Sequence, residues 1–167
     1  SLQLEQLKEY ISSLGAKAFV AGQIYTWLHE KCVDSFDEMT NISKTLREKL
    51  SEDCYIAGVT VEQRLVSSID GTVKYLFSLY DGACIESVFM RYEHGNTLCV
   101  SSQAGCRMGC KFCMTGRQGY AASLSAADIL NQIYSLPERD FLTNIVFMGQ
   151  GEPFDNLDNV LRATEVL

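Results

Sequence analysis

The period of the apolar residues changes along this chain, and the change limits what each stretch can pack against. Leu2, Leu4, Leu7, Ile11 and Leu14 recur at helical spacing, and Gly15 supplies a stop. A second helical stretch covers 18–31, where Phe19, Ile24, Trp27 and Leu28 share a face, and a third covers 43–50. From Gly58 the period falls to two, with Val59 and Val61, then Val73, Tyr75, Phe77 and Leu79. Asp70-Gly71 and Asp81-Gly82 punctuate these runs, so antiparallel hairpins are predicted. A further strand is expected over Cys84–Tyr92. After Gly95 the pattern becomes strand (Thr97–Ser102), loop, helix (Ser125–Leu136, capped by Ser125 with Asp128), strand (Asn144–Met148), loop and helix (157–167). Alternation of this βαβα kind implies a parallel sheet. The chain is therefore expected to be α/β, with a helical module over 1–55, a β-hairpin segment over 56–95 and two βα units over 96–167.

Two loops at the carboxyl ends of the last two predicted strands carry unusual residues, and parallel α/β folds place their active sites at such ends. The first is Cys106-Arg-Met-Gly-Cys110-Lys-Phe-Cys113. Three thiolates at that spacing can hold three irons of a four-iron cluster and leave one iron open to a substrate, whereas electron-transfer clusters use four cysteines. The competing reading is a structural zinc site completed by His94 or Cys99. Zinc sites usually come as paired CxxC knuckles, and no second pair is present. The second loop is Gly149-Gln-Gly151-Glu152-Pro153. Glycines and a proline after a strand ordinarily make a turn, but Glu152 and the backbone at Gly151 would face the cysteine loop, where they could bind an amino group.

Glu86 shares a strand face with Cys84, Val88 and Met90. Two readings stand: a half-buried carboxylate able to act as a base, or a solvated strand face. Cys32, Cys54 and Cys84 sit among apolar residues and read as small buried hydrophobes. Seven cysteines fit metal or catalytic use better than a disulfide framework. No apolar run approaches the roughly 18 residues needed to cross a bilayer, and the first residues do not resemble a signal peptide, so a cytoplasmic location without membrane contact is expected. The net charge of −7 argues against a generally basic nucleic-acid surface. Its distribution is uneven, however. From His94 to Ala127 there is no Asp or Glu, while Arg107, Lys111 and Arg117 all lie there. Such a positive rim could serve an anionic substrate or offset the charge of a thiolate-ligated cluster.

Taken together, Cys99-Val-Ser-Ser-Gln-Ala-Gly-Cys106, the triplet with Phe112 before its last cysteine, and Met148-Gly-Gln-Gly-Glu-Pro153 resemble the radical S-adenosylmethionine RNA methyltransferases of the RlmN and Cfr family, RlmN more closely. The likeness extends to Gln23-Ile-Tyr-Thr-Trp27-Leu-His-Glu-Lys31 and to Ile85-Glu86, so it spans nearly the whole chain.

The resemblance implies a partial (β/α)6 barrel and, as cofactors, a 4Fe-4S cluster and S-adenosyl-L-methionine. It implies that Cys106, Cys110 and Cys113 ligate the cluster and that Gly151 and Glu152 hold the methionyl amino group. Glu86 matches the family's proton acceptor, and Cys99 the cysteine that resolves an enzyme–RNA adduct by forming a disulfide. The implied reaction is methylation of adenine C2 in 23S ribosomal RNA and transfer RNA by way of a methyl-cysteine. Adenine C2 is a poor nucleophile, so a radical cofactor carries the hard step. The implied partners are those RNAs and an electron donor such as flavodoxin or ferredoxin, with the whole protein a monomer. The methyl-carrying cysteine and about four of six βα units would lie beyond Leu167, upwards of about 100 residues at roughly 30 per unit. The 167 residues alone are therefore expected not to turn over. Residues 1–55 carry six Lys or Arg against nine Asp or Glu, so a role in docking folded RNA by shape and a purely structural role both remain open. Competing functions are a radical enzyme acting on a protein or small molecule, and a non-enzymatic zinc module.

Overall fold

The helical spacing near the start becomes three helices: α1 (Leu4–Ser13), α2 (Phe19–His29) and α3 (Lys44–Asp53). The computed structural model describes residues 3–167, so Leu2, expected on the α1 face, lies outside the described residues. The chain divides between Ala57 and Gly58 into two units. In the first, Gln3 and Gln6 form a reciprocal capping box at the start of α1. The Ser43 hydroxyl accepts from Leu46 N at 3.4 Å to open α3. Leu7, Ile11, Ile24, Met39, Leu46 and Leu50 close the core, each such side chain contributing about 1.5–3 kcal/mol when fully buried. Phe19, expected on the buried face of α2, is instead 64% exposed at the first helical position. His29, at the end of α2, packs its ring against Tyr25 with centroids 4.3 Å apart. Burial lowers its pKa from 6.5 to about 4.

The second unit is built on a five-stranded sheet in the order β1 (Thr60–Val66), β2 (Val73–Ser78), β3 (Cys84–Tyr92), β4 (Gly95–Cys99) and β7 (Asn144–Val146). The Asp-Gly signals make the turns. Asp70 accepts from Thr72 N and Asp81 from Ala83 N, while Gly71 and Gly82 take φ of 71° and 82°. β4 pairs antiparallel with β3 (Val88 opposite Cys99) and parallel with β7 (Cys99 opposite Val146). The sheet is therefore continuous from the hairpins into the βαβα region, through a tight link at Glu93 and His94.

The strand expected over Thr97–Ser102 ends at Cys99. Val100 still donates to Val146 O, but the chain then leaves the sheet to form β5 (Gln103–Gly105), which pairs with β6 (Tyr120–Ser123) in a separate ribbon. Gly105 lets the two ribbon strands approach. Its φ is +76°, and an added Cβ would lie 1.9 Å from Gly119 O. β7 likewise stops at Val146 rather than Met148, because the chain folds back so that Gly149 N donates to Val100 O. The alternation begun at Val59 and Val61 buries nothing on β1, all seven residues of which are exposed at the sheet edge.

One sheet face is closed, with Val73, Tyr75, Phe77, Ile85, Ser87, Phe89 and Leu98 all buried. Against it lies α5 (Ala126–Tyr134), capped as expected by Ser125 with Asp128. The α5 residue Gln132 is fully buried, so every polar atom on it needs a partner. Its Oε1 accepts from Ser87 Oγ at 2.7 Å and Ser101 N at 2.8 Å, and its Nε2 donates to Ser101 O at 2.9 Å. Beyond α5, Glu138 is held by Tyr75 Oη at 2.5 Å and Arg64 Nη2 at 2.8 Å. Burial pushes its pKa up, but these two donors outweigh that and leave it below the usual carboxylate value. The chain closes with α6 (Leu157–Thr164).

Two outcomes are expected. Gln132→Leu strips the partners from both backbone groups of buried Ser101, costing at least about 2 kcal/mol, which chemical denaturation will read. For His29, the folded pKa lies below the unfolded one, so its contribution is complete above pH 6.5 and is lost as pH falls through 6.5 toward 4. A proton NMR titration of His29 should give a midpoint near 4, and a midpoint near 6.5 would contradict the burial argument.

Candidate active site

The cysteine loop leaves the β5–β6 ribbon at a fixed base. Cys106 N donates to Gly119 O at 2.9 Å, and Cys113 N donates to Cys110 O at 3.0 Å. Gly116 packs on the Cys110 backbone, and the Arg117 guanidinium donates to Lys111 O at 3.0 and 3.3 Å. Cys113 caps the short helix α4 (Met114–Gln118). The amide of Gly116, aided by Thr115, lowers its thiol pKa below the usual value. All three thiols are free, Cys110 is exposed, and Phe112 at the tip is 91% exposed. Among the described residues no three His, Cys, Asp or Glu converge as a ready metal site. The donor chemistry nevertheless suits a thiolate-ligated cluster: three cysteines on one loop, one of them already biased toward thiolate. His94 and Cys99, the fourth ligands named for the zinc reading, lie outside the loop that carries the three cysteines.

Glu86 and Cys99 lie on the sheet face opposite α5. Val88 is directly opposite Cys99, and Glu86 is two residues from Val88 on the same face. Leu76 is directly opposite Glu86, which is half-exposed, between the two expected readings. Lys74, opposite Val88, reaches it diagonally, with Nζ 2.7 Å from Glu86 Oε1. The charge is therefore paired at a half-exposed position, where such a bridge contributes about 0–1 kcal/mol. Burial raises the Cys99 thiol pKa, opposed by a hydrogen bond from Met148 N–H. Cys84, read as buried, is exposed at the start of β3, while Cys32 and Cys54 are half-buried.

The loop after β7 is pressed against the start of β5. Ser102 N and Gln103 N both donate to Gln150 O, at 2.9 and 3.2 Å. Gly151 has φ +96°, and a Cβ there would meet Gln103 at 2.6 Å. Glu152 donates its N–H to Gln103 Oε1 at 3.1 Å, and its Oε1 accepts from Phe154 N at 3.1 Å. That second bond starts the turn Pro153–Asn156. Buried Gln150 Oε1 has no hydrogen-bond partner among the described residues.

Strand register brings Glu86 and Cys99 to one face, and the loop bonds bring Gly151 and Glu152 against Gln103 at the start of β5, the strand that leads into the cysteine loop. Sequence reasoning missed the supporting residues Lys74, Ser101, Gln103, Gln132 and Asp155. The Ser101 hydroxyl donates to Glu86 O at 2.6 Å and accepts from Gln150 N at 2.9 Å, joining β3 to the loop after β7.

Known proteins match this arrangement along its whole length. Residues 1–56 match the family model "Ribosomal RNA large subunit methyltransferase N-terminal domain", and residues 100–167 match "Radical SAM superfamily". A probable dual-specificity RNA methyltransferase RlmN from Phocaeicola vulgatus is 54% identical over 164 residues, 98% of this chain and 47% of that protein. One from Bacteroides fragilis is 52% identical over 166 residues, 99% of this chain and 48% of the relative. The chain belongs to the RlmN family. The crystal structure of a radical SAM methyltransferase from Sphaerobacter thermophilus superposes with a TM-score of 0.90 at 36% identity, covering 99% of this chain and 50% of that one. The chain thus spans about half the length of the curated relatives it matches. The radical SAM family uses S-adenosylmethionine and an iron–sulfur cluster in general. No helix among the described residues is long and apolar enough to cross a membrane.

Gly151→Ala should lower the unfolding midpoint. Positive φ alone costs about 1–3 kcal/mol on a side chain, and the contact with Gln103 adds to it. Thermal unfolding checks this, and an unchanged midpoint would contradict the close packing of the two loops.

Proposed function

We propose that this chain is the cluster-binding half of an RNA methyltransferase that methylates C2 of adenine in 23S ribosomal RNA and transfer RNA. The observation that carries the reading is the triplet Cys106, Cys110 and Cys113 beyond the end of β4, in a sheet whose open face bears Glu86 and Cys99. In this reading Cys106, Cys110 and Cys113 would hold a 4Fe-4S cluster, whose chemistry when loaded is reductive cleavage of S-adenosylmethionine to a 5'-deoxyadenosyl radical.

The chain's own residues bind and orient. Gly151 and Glu152 receive the amino group of the methionyl part; Glu152 has one carboxylate oxygen committed to Phe154 N, so the other is the one available. Glu86 accepts a proton from the substrate carbon, with the Lys74 ammonium beside it balancing its charge before the transfer. The Cys99 thiol, whose pKa burial raises, closes the cycle: its sulfur attacks the sulfur of the cysteine that carried the methyl group. The bond from that sulfur to the RNA-bound methylene breaks as the disulfide forms, and the methylene takes the thiol's proton to become a methyl group. The carboxylate-free rim bearing Lys111 and Arg117 suits an acidic electron donor such as flavodoxin or ferredoxin. The whole protein is cytoplasmic and monomeric in this reading.

The test is anaerobic reconstitution of the whole protein, followed by mass spectrometry of ribosomal and transfer RNA. About four irons and four sulfides per chain and gain of 2-methyladenine are expected, with both lost in Cys110→Ala. Cys99→Ala should keep the cluster but stall turnover on a covalent RNA adduct. Stoichiometric zinc without sulfide would overturn the enzyme reading. A loaded cluster with full RNA methylation in Cys99→Ala would remove the role given to that thiol.

A further inference from the structure

The small β5–β6 ribbon lies between the two loops of the site and touches both, through residues to which the reaction assigns nothing. Gln103 on β5 is fully buried and grips the later loop twice: Oε1 accepts from Glu152 N at 3.1 Å, and Nε2 donates to Asp155 Oδ2 at 2.8 Å. The same Asp155 oxygen is ion-paired with Arg107, whose Nε lies 2.8 Å away. Arg107 directly follows Cys106. Its guanidinium lies over the ring of Tyr120, the first residue of β6, with Cζ 4.0 Å from the centroid. Tyr120 is itself tied at its hydroxyl to Ser123 at 3.0 Å.

We propose that Arg107 and Asp155 form a latch that fixes the cysteine loop to the Gly151–Glu152 loop, with Gln103 and Tyr120 as its two anchors. The cysteine loop follows β5 of the ribbon and the other follows β7 of the sheet, and no backbone hydrogen bond among the described residues joins 106–118 to 149–156. A ligand gripped by both needs them at a fixed separation, and ordering them beforehand removes that entropy cost from binding. An ion pair half open to water contributes little by itself. This one gains direction from the Gln103 amide that donates to the same oxygen and from the aromatic face beneath the guanidinium. Arg107 and Asp155 are positioning residues: they act on the separation of the loops and touch no reacting atom. The assignment of a ligand to the two loops rests on the function proposed above, whereas the latch does not.

The test is a double-mutant cycle of Arg107→Ala, Asp155→Ala and the pair, with Arg107→Lys as the conservative variant. Amide hydrogen exchange of the metal-free protein is read over 106–119 and 149–156. Each single variant should speed exchange three- to tenfold in both loops, including the one it does not lie in. The pair should be no faster than either single variant, because one interaction has been removed twice. Arg107→Lys should recover part of the protection. In the whole protein after anaerobic reconstitution, S-adenosylmethionine should bind three- to tenfold more weakly to each variant by calorimetry, with iron content unchanged. Additive effects, or faster exchange confined to the mutated loop, would overturn the latch. Coupled exchange with unaltered binding would overturn its role toward the ligand. Failure of the unmutated protein to take up iron and sulfide would instead count against the proposed function, and leaves the exchange result standing.

Discussion

A single buried amide ties together the segments that carry the candidate site. The chain loses its strand neighbour after Val100, where it must leave the sheet to reach β5, and Ser101 is fully buried at that point. Water cannot satisfy its backbone there, and an unpaired N–H or C=O costs about as much as a lost hydrogen bond. Gln132 takes the place of the missing strand, accepting from Ser101 N and donating to Ser101 O as a β partner would. With its backbone so fixed, the Ser101 hydroxyl can bridge Glu86 O and Gln150 N. Three segments meet at one oxygen, and each carries a candidate site residue within two positions: Glu86 itself, Cys99 and Gly151. The site is placed by a polar knot under the sheet rather than by contacts at its surface.

The parts of this fold legible in the sequence are those set by local rules. Helical spacing produced α1 to α3, Asp-Gly pairs produced the β1–β2 and β2–β3 turns, and Ser125 with Asp128 marked the start of α5. The parallel pairing of β4 with β7 followed from alternation of elements. What escaped was register. Lys74 is twelve positions from Glu86, and nothing local says that two hairpin strands set them diagonally across from each other. The β5–β6 ribbon was equally silent: three and four residues with no apolar alternation, made possible by Gly105 and Gly119. The cysteine triplet stands out in the sequence by its spacing alone. Its supports do not, since Gln103, Arg107 and Asp155 become neighbours only after a strand departs and a ribbon forms.

Charge places a further demand on the same region. Thiolates brought close together repel one another, and a carboxylate among them would add to that repulsion. The cysteine loop excludes acids from its own sequence, but the loop after β7 brings Glu152 and Asp155 close to its base. Each is engaged before it can oppose the thiols. Glu152 turns one oxygen to Phe154 N, and Asp155 gives its Oδ2 to Arg107 and Gln103. The arginine next to Cys106 therefore does two things with one side chain: it joins the loops mechanically and cancels the negative charge that the join introduces. A neutral hydrogen-bonding pair at 107 and 155 would bring no charge to cancel, but it would also lose the seat of a cation on the Tyr120 ring, which is what the charged pair adds at the junction between these two loops.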